Sequence, residues 1–335
     1  MRIIYVSDLF PPNDKGGAEI IAFFEAKMMK EEGNEVIVVT TNNRFSISIS
    51  KYNLNGITTY RIPTLSLWIP KFPRIVSGAL NVLLTIFDPI SYFVLKKIIK
   101  EEKPDIVHSH NTSMISFGSL RAAKKPIKII QTYHGYFYEC PKGGLLKKWT
   151  TSKEFEICKR KNILCQVWIY FFKKVVPIPD ATIAVSRYIF KKLKKTNTKK
   201  LYYCPNGIEC NFRFKNISAK NRNRKKIILF IGRITKAKGV GILIESYNRI
   251  RKVVGNTQLW IIGDGPALNE FKNKAKNLKK EVIFFGRISH EKIYNIYKYA
   301  YVVIVPSLWY EVLNTVAIEA SLMNKPVIAS DLPGF

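Results

Sequence analysis

The chain has 335 residues, 47% hydrophobic and 24% charged, and 55 basic against 24 acidic side chains give it a formal net charge of +31. That composition can bury a core, which excludes a disordered or fibrous chain, and the length suits two domains. Five cysteines, an odd number with no Cys-x-x-Cys pair, exclude a disulfide scaffold and point to a reducing compartment.

The opening residues, MRIIYVSDLF, begin an apolar run at once and read as a strand over 2–7 rather than a secretory signal. PPNDKGGAEI follows, with Gly16 and Gly17 leading into a helix over 18–32. Glycines at such a turn let the backbone approach a ligand and leave N–H groups facing an anion. A strand over 35–40 comes next. The most apolar stretch, 75–95, is interrupted by Asp88 and Pro89, so it reads as two buried or interfacial helices rather than a membrane span. Further strands are expected over 105–110, 127–133 and 181–186. Cys140, Cys158 and Cys165, at spacings of 18 and 7, read as ordinary thiols rather than zinc ligands.

The basic, asparagine-rich segment 213–225 has no apolar periodicity and reads as a linker. Beyond it, strands over 226–233, 257–263, 281–286, 301–307 and 325–330 alternate with helices over 240–253, 266–279 and 289–298. The strands are apolar at consecutive positions, as parallel strands covered on both faces must be. This alternation predicts an α/β chain of two Rossmann-like, doubly wound domains facing a cleft, 1–212 and 226–335.

Ligands of open α/β sheets lie where strands turn into helices. At those positions the second series places Arg233 and Lys238, a pair of cations suited to a diphosphate beside a helix N-terminus. Gly263 and Gly265 follow another strand, and SLWYEVLNTVAIEAS (307–321) follows a third. In this stretch Glu311 and Glu319 are eight positions apart, which on one helix would point them roughly 80° apart. The helical pattern starts near Thr315, so Glu311 falls in the entering loop and Glu319 little more than one turn inside. The lack of a G-x-G-x-x-G motif counts against a nicotinamide or flavin enzyme.

In chain order, GGAE (16–19), HGY (134–136), AVS (184–186), PNGIE (205–209), GRITKAKG (232–239), GDGP (263–266) and the Glu311–Glu319 pair resemble the retaining family-4 glycosyltransferases of the GT-B fold, the group 1 transferases. The resemblance implies transfer of a hexose-type sugar from a nucleotide-diphosphate sugar to a lipid-linked or glycan acceptor. It implies that Glu319 accepts hydrogen bonds from the ribose hydroxyls and that Glu311, Asn314 and Thr315 lie by the donor. Arg233 and Lys238 would stabilise the departing diphosphate, helped by N–H groups of the Gly16–Gly17 turn. Gly263 and Gly265 would line the donor site, and His134 would face the donor sugar. With two cations in place, no metal and no further cofactor is expected.

Asn314 stands where the family carries a glycine-containing turn; asparagine tolerates the left-handed conformation such a turn uses. The chain stops at SDLPGF, before the last strand–helix units of the family, so an incomplete second domain is expected. That raises one alternative, a catalytically silent nucleotide-sugar-binding fragment. Another, a basic nucleic-acid-binding protein, rests on charge alone and leaves Glu311 and Glu319 unexplained, so no nucleic acid is expected as partner. The mixtures of aromatic and basic residues at 64–76 and 167–176 suit a membrane interface. A cytoplasmic protein, peripheral on the anionic inner face of the membrane, is the expected location.

Overall fold

The computed structural model describes residues 1–12, 17–42, 46–67, 74–140, 163–196, 198–208, 225–278 and 280–334. The described residues form two compact units, one up to Gly207 and one from Ile208 onward. Apart from Lys225, the linker expected over 213–225 lies outside the described residues.

The first unit runs β1 (Arg2–Val6), α1 (Gly17–Glu31), β2 (Glu35–Thr41), β3 (Ser50–Leu54), β4 (Ile57–Ile62), α2 (Arg74–Ile86) and α3 (Pro89–Glu102). It continues with β5 (Ile106–Ser109), β6 (Lys128–Tyr133), α4 (Ile163–Val175), β7 (Ala181–Ala184), α5 (Arg187–Leu193) and β8 (Leu201–Tyr203). Among the described residues its eight strands lie in the order β3-β4-β2-β1-β5-β6-β7-β8. All pair in parallel except β3, which runs antiparallel to β4. Strand order therefore reverses at β1, between β2 and β5. The core beneath is Ile4, Val6, Val39, Leu95 and Val107 with their neighbours, all essentially without solvent access.

The apolar stretch 75–95 does divide at Pro89. Asp88 caps α3 by accepting from the Ser91 N–H at 3.2 Å, and its other oxygen accepts from the Leu65 N–H at 2.7 Å. Among the described residues, no helix is long and apolar enough to cross a membrane. The sequence reading missed the β3–β4 hairpin and β8. The hairpin has a legible signal: Asn55 and Gly56 both take positive φ (51° and 76°), as a two-residue hairpin turn requires.

The second unit contains β9 (Lys226–Ile231), α6 (Val240–Val254), β10 (Thr257–Ile262), α7 (Leu268–Lys274) and β11 (Val282–Gly286). It ends with α8 (His290–Tyr297), β12 (Ala300–Val305), α9 (Thr315–Leu322) and β13 (Val327–Ala329). Its strands, all parallel, lie in the order β11-β10-β9-β12-β13, so the reversal falls at β9, between β10 and β12. Successive residues of β9 serve opposite faces. Ile228 and Phe230 pack with Val240, Leu243 and Phe271, while Leu229 and Ile231 pack with Tyr297, Val303 and Ala320. A strand covered on both faces needs this unbroken apolar run, which is why β9 was readable from sequence.

Candidate active site

The site is built where strand order reverses in the second sheet, from the loops that leave β9 and β12. Gly239, at φ 71°, ends the short turn Lys236–Lys238. A Cβ there would lie 1.8 Å from the carbonyl oxygen of Pro306, so only glycine lets the β9 loop rest on the end of β12. The Leu308 N–H donates to the Ala237 carbonyl at 2.7 Å and ties the two loops. This close approach brings Lys238 Nζ to 2.6 Å from Glu311 Oε1, the two side chains being 24% and 5% exposed. The same oxygen accepts from the Ser307 hydroxyl at 2.5 Å and from the Trp309 indole N–H at 3.0 Å. The Lys238 ammonium also sits 5.5 Å over the Trp309 ring. A carboxylate this deeply buried is stable only with such compensation.

Glu319 lies on α9 and is buried, and Tyr297 of α8 donates its hydroxyl proton to Oε2 at 2.8 Å. Burial first, and the neighbouring carboxylate second, push the Tyr297 hydroxyl pKa upward, so it stays a donor. Asn314 caps α9: its Oδ1 accepts from the Ala317 N–H at 3.0 Å, and Thr315 is the first helical residue. Its φ of −90° and ψ of 98° are extended, so the left-handed turn that asparagine would tolerate is not the conformation used. The expected placement of the glutamates holds: Glu311 is in the entering loop and Glu319 in the helix.

Gly263 and Gly265 have a packing role. A Cβ on Gly263 (φ 133°) would meet the Gly232 carbonyl oxygen at 1.9 Å, and one on Gly265 would meet that of Ile234 at 2.3 Å. The Ile234 N–H donates to Asp264 O at 2.9 Å, and the Ala267 N–H to Ile234 O at 3.2 Å. The two glycines thus let the β10 loop support the β9 loop that carries Arg233. Arg233 is exposed, and its guanidinium has no partner among the described residues.

In the first unit, Gly17 opens α1, while Gly16 lies outside the described residues. His134 follows β6, and its Nε2 is 2.9 Å from His110 Nδ1. Burial, then His110, pulls the His134 pKa down to about 3, so the ring is neutral. After β1, Asp8 accepts at 2.7–3.1 Å from the N–H groups of Ser113, Met114 and Ile115 and from the Ser113 hydroxyl, fixing the loop after β5. Cys140 and Cys204 are free thiols; Cys158 lies outside the described residues.

Residues 15–212 match the model of Glycosyltransferase Family 4, and residues 212–335 match that of Glycosyl transferases group 1. The chain belongs to the group 1 glycosyltransferases. Over 309 residues it is 24% identical to the UDP-Gal:alpha-D-GlcNAc-diphosphoundecaprenol alpha-1,3-galactosyltransferase of Escherichia coli, covering 88% of this chain and 73% of that one. Among solved structures it is similar to sucrose-phosphate synthase from Thermosynechococcus elongatus, at a TM-score of 0.73 and 21% identity over 99% of this chain and 82% of the other. It is also similar to HepE of Anabaena, solved with UDP and glucose, at a TM-score of 0.65 and 15% identity over 100% and 82% of the two chains. The fold is GT-B and the protein is a transferase.

Several residues of this glycosyltransferase escaped the sequence reading. Ser307 and Trp309 stand within four residues of Glu311 and hold it, so the stretch was noticed but not its internal bonds. Tyr297 gave no signal, since a tyrosine on an amphipathic helix reads as core. Asp8 and the two histidines of DIVHSH, at the ends of β1 and β5, were legible by the same strand-end rule that found Arg233 and Lys238.

Proposed function

We propose that this glycosyltransferase moves a hexose-type sugar, with retention of anomeric configuration, from a nucleotide-diphosphate sugar to a lipid-linked acceptor. The observation that carries the reading is the Lys238–Glu311 pair at the strand reversal of the second sheet. A diphosphate arriving there offers Lys238 a doubly charged partner, and Glu311 keeps its bonds from Ser307 and Trp309 when the lysine turns away. Glu319, oriented by Tyr297, accepts from the vicinal hydroxyls of the ribose. Cleavage of the sugar–phosphate bond leaves positive charge on the anomeric carbon and negative charge on the diphosphate. Arg233 and Lys238 stabilise that leaving group, a role that then needs no metal. His134, neutral and held by His110, presents a fixed ring to the donor sugar.

The acceptor named for the E. coli relative, a GlcNAc on diphosphoundecaprenol, supports a lipid-linked acceptor here. A surface feature supports it too. On α4, Ile163, Val167, Tyr170 and Phe171 are exposed at helical spacing, while Trp168 and Phe172 turn inward. The Trp168 N–H donates to the Val82 carbonyl at 3.0 Å, which holds α4 on α2. An apolar stripe ending in Lys173 and Lys174 suits the interface of an anionic membrane and supports a peripheral position on its cytoplasmic face.

Glu319→Gln tests the donor site. Calorimetry with nucleoside diphosphates should show binding weakened by roughly 1–3 kcal/mol, the worth of a hydrogen bond to a charged group, with the far-ultraviolet spectrum unchanged. Equal affinity in the variant removes Glu319 from the site. The same titration across nucleotides names the base.

A further inference from the structure

The first unit holds a cluster that the transfer reaction does not use as such. Glu25 of α1 and His108 and His110 at the end of β5 bring one ligand atom each to within 4.8 Å of the others. They meet at the strand reversal of the first sheet, where Tyr5 of β1 is the register partner of His108. We propose that Glu25, His108 and His110 form a binding site for one divalent transition-metal ion of the zinc class.

The geometry fits that ion. Glu25 Oε2 and His110 Nε2 are 3.4 Å apart. Bonds of about 2.1 Å in a tetrahedral site set ligand atoms roughly 3.4 Å from one another. All three ligand atoms lie within 4.8 Å of one another, so an ion would draw in the wider pairs by at most about 1.4 Å. His110 Nε2 is fully buried and makes no hydrogen bond. Both histidines are also held from behind, as metal-ligating imidazoles usually are. His110 Nδ1 meets His134 Nε2 at 2.9 Å, and His108 Nε2 meets the Thr132 hydroxyl at 2.8 Å. One ring nitrogen of each is thereby engaged and the other remains for an ion.

The donor set chooses among ions. Two imidazoles and one carboxylate suit zinc, cobalt or nickel, whereas calcium and magnesium prefer oxygen ligands alone. The ion would also offset the Glu25 charge on a face lined with Ile21 and Ala22. A cavity of about 270 Å³ beside Glu25 and His108 is bordered also by Tyr5 and otherwise by apolar side chains. Such an ion ties α1 to the end of β5. It lies in the first unit and is not the leaving-group metal that Arg233 and Lys238 replace.

The test is titration of the chelator-treated full chain with cobalt(II), followed by competition with zinc. One equivalent should bind with the visible bands of a four-coordinate nitrogen–oxygen site, and zinc should displace it and raise the melting temperature. Glu25→Gln and His108→Gln, each separately, should weaken binding at least tenfold, while His290→Ala leaves it unchanged. Melting curves of the metal-free variants show whether they fold. Absence of a saturable equivalent in the parent chain, intense thiolate charge-transfer bands, or binding indifferent to Glu25→Gln would overturn the proposal.

Discussion

Glu311 holds an ammonium, a hydroxyl and an indole N–H all on one carboxylate oxygen. An exposed lysine–glutamate pair contributes at most about 1 kcal/mol. This pair differs because the carboxylate is 5% exposed, so removing the lysine leaves a charge that water cannot solvate. Two neutral donors remain, however, and they limit the damage. Lys238→Ala should therefore cost about 1–3 kcal/mol of stability, measured by chemical denaturation. Its effect on turnover should be larger, a loss of roughly 10²–10³-fold, if Lys238 has the proposed role and faces charge that develops only as the diphosphate departs. A variant that loses stability but keeps full turnover would confine Lys238 to a structural role.

Among elements, α9 shows how local chemistry sets the site. Eight residues long, it must present Glu319 from a defined first turn, and Asn314 supplies that definition by capping the Ala317 N–H. Asn314→Ala should lower stability by about 1 kcal/mol, and Asn314→Asp should restore it, since an aspartate caps equally well. Equal melting temperatures for all three proteins would show that the loop, not the cap, fixes the helix start. The position of α9 was legible in sequence, because Val316, Ala317, Ile318 and Ala320 follow a loop-like run, and so was the separation of the two glutamates. β9 and β12 were legible because both faces of each strand are covered. β3, by contrast, is a polar edge strand with mostly exposed residues, and only Asn55–Gly56 announced it. Strand-end position suggested a ligand at Gly263 and Gly265; what the sequence did not show is that the backbone of the β9 loop fills the space a side chain there would need. Tyr297 was illegible because its partner, Glu319, is 22 residues away and on another helix.

For the whole molecule the governing quantity is the excess of 55 basic over 24 acidic residues. Charge alone cannot tell a nucleic-acid ligand from an anionic membrane, since both attract cations and both weaken with salt. The α4 stripe separates them. Exposed Ile163, Val167, Tyr170 and Phe171 have nothing to gain from a phosphate backbone, but they remove apolar area from water when a helix lies in a headgroup layer. Vesicles containing anionic lipid should therefore bind the protein at low salt. Binding should fall but not vanish as salt rises, because charges are screened within about 10 Å at 0.1 M while apolar insertion is not. Val167→Ser combined with Phe171→Ser, both exposed and away from the Trp168 and Phe172 side, should leave stability within about 1 kcal/mol of the parent's, about 0.5 kcal/mol for each substitution. In that variant the salt-resistant part of binding should disappear and the salt-sensitive part remain. If the double variant co-sediments with vesicles as the parent does at every salt concentration, α4 is not the contacting face and the basic surface alone accounts for attraction.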